Sequence, residues 1–308
     1  MPILRLGSRK SPMAIAQSRH VADLIAERTG RQAEIVGVTT LGDVSRAQLT
    51  QIGGTGVFVS ALRESLLAGS VDIAVHSLKD LPTGAANGIA LAAVPARDDP
   101  RDALVARDGA KLADLPAGAL VGTGSPRRAA QLQLLRGDIV CVPIRGNANT
   151  RLTKVASGEL DAVVLAYAGL ARIGCLDAVS QIFEPEEMLP APGQGALAVE
   201  CRAGAAGLAE LLAAVDDEAS RAAVTAERSM LAALEAGCSA PVGGFAAPAA
   251  GTGLLRLDGA VLGGTRALRE HGEAATADAE RLGRDLAAKM LAQGAAELMI
   301  AKSDRDDA

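Results

Sequence analysis

Short apolar runs alternate with amphipathic stretches along most of this chain, which predicts a succession of strands and helices. Ile3 to Leu6 reads as a strand. Ser11-Pro12 then offers a capping hydroxyl and a first-turn proline to a helix that runs toward Glu27 and stops near Gly30. Ala33 to Val38 and Ile73 to Val75 read as further strands, with a helix between them around Val59 to Ala68. The same order returns later. Leu120-Val121-Gly122-Thr123-Gly124-Ser125-Pro126 repeats the strand, Gly-Ser-Pro turn and helix entry of the N-terminus. Gly158-Glu159-Leu160-Asp161-Ala162-Val163-Val164 echoes Gly69-Ser70-Val71-Asp72-Ile73-Ala74-Val75, with Gly, Asp and Val at equal offsets. Two related α/β halves are the economical reading. Pro95-Ala96-Arg97-Asp98-Asp99-Pro100-Arg101 lies between them as an exposed hinge. In open sheets the ligand ends are the carboxyl ends of the strands, so a cleft between two lobes is expected.

After Pro190-Ala191-Pro192-Gly193-Gln194-Gly195 the pattern changes. A strand at Ala196 to Glu200 and a helix at Asp217 to Leu234, ending at Gly237-Cys238, lead into strand-like segments at Leu254 to Leu257 and Ala260 to Leu262. An amphipathic helix from about Asp278 to Gln293 closes this small α+β region, and the charged end at 302–308 is expected to fray.

Composition narrows the picture. With 308 residues, 49% of them hydrophobic, the chain can bury a sizeable core and is expected to form two or three domains. Its aromatics are Phe58, Phe183, Phe245 and Tyr167, with no Trp, so the core must be aliphatic and stacking platforms for bases are scarce. No apolar run approaches the roughly 18 residues of a membrane span, and the N-terminus lacks a signal-like apolar stretch; a soluble, cytoplasmic protein is expected. Cys141, Cys175, Cys201 and Cys238 are widely spaced without a C-x-x-C pair, which argues against a zinc site and against a disulfide framework.

Charge adds a mismatch. The chain is acidic, with 31 Lys+Arg against 36 Asp+Glu, yet arginine is concentrated in short turns. These are Leu6-Gly7-Ser8-Arg9-Lys10-Ser11-Pro12, Gly122-Thr123-Gly124-Ser125-Pro126-Arg127-Arg128 and Ile144-Arg145-Gly146-Asn147-Ala148-Asn149-Thr150-Arg151. Each reads as opening a helix, whose unpaired N–H groups and positive dipole end combine with a guanidinium fork to suit a carboxylate or phosphate. A nucleic-acid surface would raise the charge of the whole domain, and a net charge of −5 does not. A small polyanion is the expected ligand.

His76-Ser77-Leu78-Lys79-Asp80-Leu81-Pro82 follows an apolar strand and so places His76, Lys79 and Asp80 at its carboxyl end. Cys238 sits in the flexible Glu235-Ala236-Gly237-Cys238-Ser239-Ala240-Pro241-Val242-Gly243-Gly244 loop, a setting that favours an accessible thiol. Cys141, inside Ile139-Val140-Cys141-Val142, reads as core, as do Cys175 and Cys201. Gly53-Gly54-Thr55-Gly56 lacks the Lys-Ser/Thr of a phosphate loop and is read as a mobile loop.

Taken in order, His76-Ser77-Leu78-Lys79-Asp80-Leu81-Pro82, Gly122-Thr123-Gly124-Ser125-Pro126-Arg127-Arg128, Leu189-Pro190-Ala191-Pro192-Gly193-Gln194-Gly195-Ala196 and Gly237-Cys238-Ser239-Ala240-Pro241-Val242-Gly243 resemble the signatures of the porphobilinogen deaminase (hydroxymethylbilane synthase) family, across essentially the whole chain. The resemblance implies two doubly wound α/β domains similar to periplasmic binding proteins plus a small α+β domain: 1–95 with 196–214, 101–190, and 218–308. It implies a transferase of tetrapyrrole biosynthesis that joins four porphobilinogen molecules head to tail with loss of ammonia, primed by a dipyrromethane cofactor on a cysteine thioether, here Cys238. A soft sulfur suits capture of an electrophilic azafulvene. Each pyrrole carries an acetate and a propionate, which gives the arginine turns a chemical reason.

By carry-over, Asp80 is the catalytic carboxylate; Lys79, Ser125, Arg127, Arg128, Arg145 and Gly146 bind the cofactor; and Arg9, Ser11 and Arg151 bind substrate. No metal is implied. A monomer is expected, with its product passing to uroporphyrinogen-III synthase. The chain departs from the family pattern at Thr55 and Ser60, where lysines are common, and at Leu41, where an arginine precedes Gly-Asp. A two-lobed binding protein for organic anions is the main rival, but it leaves Cys238 and the third region without a task. A nucleotide-dependent ligase or kinase would need a phosphate loop with lysine.

Overall fold

The computed structural model describes residues 2–39, 59–237, 240–264 and 266–300. Leu41, the Gly53-Gly54-Thr55-Gly56 turn, Cys238 and the 302–308 end lie outside them. In chain order the elements begin with β1 (Leu4–Arg9), α1 (Pro12–Thr29), β2 (Ala33–Val38), α2 (Ser60–Leu67), β3 (Ile73–Ser77) and β4 (Ile89–Ala93). Next come β5 (Asp102–Ala106), β6 (Leu120–Gly122), α3 (Pro126–Leu135), β7 (Val140–Val142), α4 (Ala148–Ala156), β8 (Ala162–Ala166), α5 (Tyr167–Arg172) and β9 (Gln181–Phe183). The remainder comprises β10 (Leu197–Arg202), α6 (Ala206–Leu212), α7 (Glu218–Ala233), β11 (Val242–Pro248), β12 (Leu255–Gly263), β13 (Arg266–Ala274), α8 (Ala279–Ala292) and α9 (Ala295–Ile300).

The chain divides into two compact units, residues 1–98 with 196–221 and residues 99–195 with 222–308. In the first, the sheet order is β2-β1-β3-β10-β4, with β1 parallel to both neighbours and β10 antiparallel to β3 and β4. In the second, it is β7-β6-β8-β5-β9, with β6 parallel to both neighbours and β5 antiparallel to β8 and β9. The two sheets share one plan, as the internal repeat predicts. The repeat is also visible atom by atom. Asp72 N–H donates to Arg5 O (2.8 Å) while Arg5 N–H donates to the Asp72 carboxylate (2.9 Å). Asp161 N–H donates to Leu120 O (3.0 Å) while Leu120 N–H donates to the Asp161 carboxylate (2.8 Å). Each aspartate thus pins the strand that enters its sheet.

Both sheets are buried by aliphatic side chains, because strands covered on both faces need near-continuous apolar runs. Leu6, Ile25, Ile73, Val199 and Leu212 form the first core; Leu104, Val121, Leu132, Phe183 and Met188 lie in the second. The second unit also holds the antiparallel sheet β11-β12-β13, packed on α7 and α8 through Met230, Leu257, Leu286 and Met290.

Three expectations change. The strand expected from Ile3 to Leu6 starts at Leu4 and runs on through Gly7-Ser8-Arg9, so Arg9 ends β1 and is not a turn residue. The segments expected at Leu254 to Leu257 and Ala260 to Leu262 fall in one strand, Leu255–Gly263, because Asp258-Gly259 pairs on both sides; a Cβ at Gly259 would meet Met230 Sδ at 2.6 Å. Cys141 lies on the edge strand β7, half-buried beside exposed Val140, and Cys175 is half-buried too, whereas Cys201 is buried. Among the described residues no helix is long and apolar enough to cross a membrane.

Candidate functional site

In the second unit the expected cationic residues gather at the carboxyl ends of β6 and β7. Ser125 caps α3: its hydroxyl accepts from Arg128 N–H at 3.4 Å, and its own N–H donates to Thr123 Oγ1 at 3.2 Å. Asn147 caps α4 by accepting from Thr150 N–H at 2.9 Å. The two turns press together. Thr123 N–H donates to Val142 O (2.9 Å), and a Cβ on Gly124 would come within 2.7 Å of Ile144 O. Gly146 adopts φ 103°, a region open to glycine, and its carbonyl accepts from Arg151 Nε at 2.9 Å. Arg145 stands exposed on the same turn.

Arg127 and Arg128 fold inward. Arg127 Nη1 donates to Asp102 Oδ2 at 2.8 Å and to Leu189 O at 2.5 Å. Arg128 donates from Nε (3.0 Å) and Nη2 (2.7 Å) to Asp102 Oδ1, and from Nη1 to Val164 O (3.1 Å). Gln194 Nε2 adds a fourth donor to the carboxylate at 2.7 Å. Asp102 is fully buried, Arg127 is 2% exposed, and Arg127 Nε is buried without a hydrogen-bond partner. Burial alone would raise the Asp102 carboxyl, but the charges of Arg127 and Arg128 hold it far below the usual carboxylate range. Burial, and then the charge on Arg128, pull the Arg151 guanidinium below its ordinary value. A surplus of partly desolvated positive charge is therefore collected here, which is what a carboxylate-bearing ligand requires.

In the first unit Ser11 caps α1, accepting from Ala14 N–H at 3.2 Å, next to half-buried Arg9 at the end of β1. β3 ends at Ser77, whose hydroxyl accepts from Gln17 Nε2 at 2.8 Å, and a single 3-10 turn then carries Leu78, Lys79 and Asp80. Leu78 is buried and its N–H donates to Ala196 O (3.0 Å), so the turn is anchored while Asp80 is exposed. His76 turns away from Lys79 and Asp80: it is buried, with Nε2 3.1 Å from Glu200 Oε2. Arg63 donates to the same carboxylate at 3.0 and 2.6 Å. Burial raises the Glu200 carboxyl, but His76 and Arg63 together hold it down at about 2.

Sequence reading thus reached the turn residues and missed the buried acids that orient them, Asp102 and Glu200. The available signal was a charge opening or interrupting an apolar strand, Asp102 ahead of Ala103-Leu104-Val105 and Glu200 after Leu197-Ala198-Val199.

Comparison with known proteins gives concordant matches. The family model described as "Porphobilinogen deaminase, dipyromethane cofactor binding domain" matches residues 4–210, and "Porphobilinogen deaminase, C-terminal domain" matches residues 221–292. Porphobilinogen deaminase of Thermobifida fusca is 60% identical over 306 residues, 96% of this chain and 95% of that protein. Porphobilinogen deaminase 1 of Streptomyces coelicolor is 57% identical, covering 96% of this chain and 97% of its own length. Porphobilinogen deaminase of Mycobacterium tuberculosis is 51% identical, with 96% and 98% covered. With both family domains matched in order and such identity over nearly its full length, the chain belongs to the porphobilinogen deaminase family.

Proposed function

We propose that this protein joins four porphobilinogen molecules head to tail, with loss of ammonia, to give hydroxymethylbilane. The observation that carries the reading is the buried Arg127–Asp102–Arg128 cluster with Arg151 drawn into the same field, an excess of cations in an acidic protein. The dipyrromethane of the family fits these residues, because its carboxylates supply the negative charge that the cluster lacks and an acceptor for a donor such as Arg127 Nε. When bound, it supplies the primer onto which the pyrrole units are joined. Cys238 is its covalent attachment point, and Lys79, Ser125, Arg127, Arg128, Arg145 and Gly146 hold it; Arg9, Ser11 and Arg151 hold the substrate's acetate and propionate groups.

Asp80 is the catalytic carboxylate. As ammonia leaves porphobilinogen, positive charge develops on the pyrrole, and a fixed carboxylate stabilises that charge and accepts or returns a proton. The anchored turn Leu78–Asp80 fits this task, since a preorganised group need not reorient during reaction. The working unit is a three-domain cytoplasmic monomer (1–95 with 196–214, 101–190, 218–308), and its product passes to uroporphyrinogen-III synthase. Ser60, the first residue of α2, together with Thr55 and Leu41, bears on the contacts of the glycine-rich loop with the growing chain and leaves the set of Cys238, Asp80 and arginines complete.

Intact mass of the purified chain beside its Cys238→Ser variant tests this. An excess of two pyrrole units in the parent, absent from the variant, is the expected result. A parent at bare sequence mass that gains nothing on adding porphobilinogen sinks the reading.

A further inference from the structure

Asp102 has no task in the reaction as set out above. It is fully buried at the start of β5, between β8 and β9, and touches no solvent through which a substrate would arrive. Yet its two oxygens divide the arginine pair between them, Oδ2 taking Arg127 and Oδ1 taking Arg128. The carboxylate is held in turn. Gln194 Nε2 donates to it and to Pro100 O, each at 2.7 Å, and the preceding Gly193 N–H is fixed at 2.6 Å by the buried carboxylate of Glu227 on α7. Two guanidiniums and one carboxylate leave a single positive charge in a largely buried cluster that opens to solvent only at the arginines. Without the acid that charge would double, and each guanidinium would lose its charged partner while keeping a backbone carbonyl, Leu189 O for Arg127 and Val164 O for Arg128.

We infer that Asp102 is a positioning residue for the pyrrole carboxylates: it fixes both guanidiniums of the α3 first turn and cancels one of their charges, setting how tightly that turn grips an anion. This rests on the reading of Arg127 and Arg128 as cofactor-binding. A chain that lengthens by one pyrrole at a time must be held and then released as it advances. Interactions that bind every stage more tightly lower KM without raising kcat, and here they would slow the advance. A half-neutralised pair grips less strongly than a bare one.

The test uses the full-length protein as Asp102→Asn, Arg127→Gln, the double variant and Arg128→Gln. Each is measured for covalent pyrrole mass, kcat and KM for porphobilinogen, and persistence of enzyme–intermediate bands on native gels. Asp102→Asn is expected to retain the pyrrole mass, lose roughly tenfold in kcat with KM unchanged or lower, and show longer-lived bands. Adding Arg127→Gln, which restores the net charge, is expected to recover about threefold of that loss. A merely structural aspartate would lower the loaded fraction and leave kcat per loaded molecule alone. Parental kcat in Asp102→Asn, or a double variant whose loss is the product of the single losses, overturns the inference. If Asp102→Asn does not fold, a soluble, pyrrole-bearing double variant supports charge cancellation and an insoluble one overturns it. Parental KM, kcat and pyrrole mass in Arg128→Gln would remove the arginine reading and the inference with it, whereas an impaired Arg128→Gln beside a parental Asp102→Asn removes Asp102 alone.

Discussion

Asp80 combines exposure with a fixed backbone: its turn is anchored by buried Leu78, and its own side chain packs into no core. Asp80→Asn is therefore expected to leave the melting temperature within about 1 °C of the parent, as exposed substitutions do, while kcat falls by at least roughly 100-fold. Near-normal turnover would take Asp80 out of the chemistry. Most of the proposed site residues were legible because they sit in turns and first helical turns, where Gly, Ser, Pro and Arg at fixed offsets mean something local; Arg9, which ends β1, is the exception. Asp102 and Glu200 were not legible for the opposite reason. Asp102 opens an apolar strand and Glu200 follows an apolar run, and their partners Arg127, Arg128, Arg63 and His76 come from other parts of the chain, so no period or spacing reports the pairing.

Among the elements, the two arginine-bearing turns of the second unit depend on how closely their backbones approach. Gly124 has no room for a side chain beside Ile144 O. Gly124→Ala should push the Thr123–Ser125 and Ile144–Asn147 turns apart, cost about 1–3 kcal/mol in stability and raise KM for porphobilinogen more than it lowers kcat; thermal melts and steady-state kinetics would show it. An unchanged KM would mean that the turns do not set the spacing of the cations. Helix starts were readable because Ser11, Ser125 and Asn147 are side-chain caps, and their hydrogen bonds are present. β13 was harder: Arg266-Ala267-Leu268-Arg269-Glu270-His271-Gly272-Glu273-Ala274 alternates without a large apolar set, and it is a strand because β12 offers a complete antiparallel partner.

For the whole molecule, acid stability follows from the buried acids. The Glu200 carboxyl is depressed from the ordinary 4.5 to about 2, so its contribution is fully present above pH 4.5 and is lost as pH falls from there toward 2. A depression of that size corresponds to about 3 kcal/mol. Urea titrations of the parent and Glu200→Gln should differ by about that much at pH 7 and converge as the pH is lowered through this window; a gap that does not change with pH would place the stabilisation elsewhere. The shared sheet plan was legible from the Gly-Asp-Val repeat, but the position of β10 was not, since nothing in Leu197–Arg202 tells which neighbours it will have. That position bears on how the protein is made. Strands β5 to β9 all lie between residues 102 and 183, so the second sheet is complete in sequence as soon as the ribosome has released that stretch. The first sheet has to wait, because β4 joins it only through β10, which is translated later. A nascent chain that has passed β9 carries one finished sheet and one in which β3 is still an edge and β4 is still unpaired, and this earlier-made half is where a chaperone would be needed.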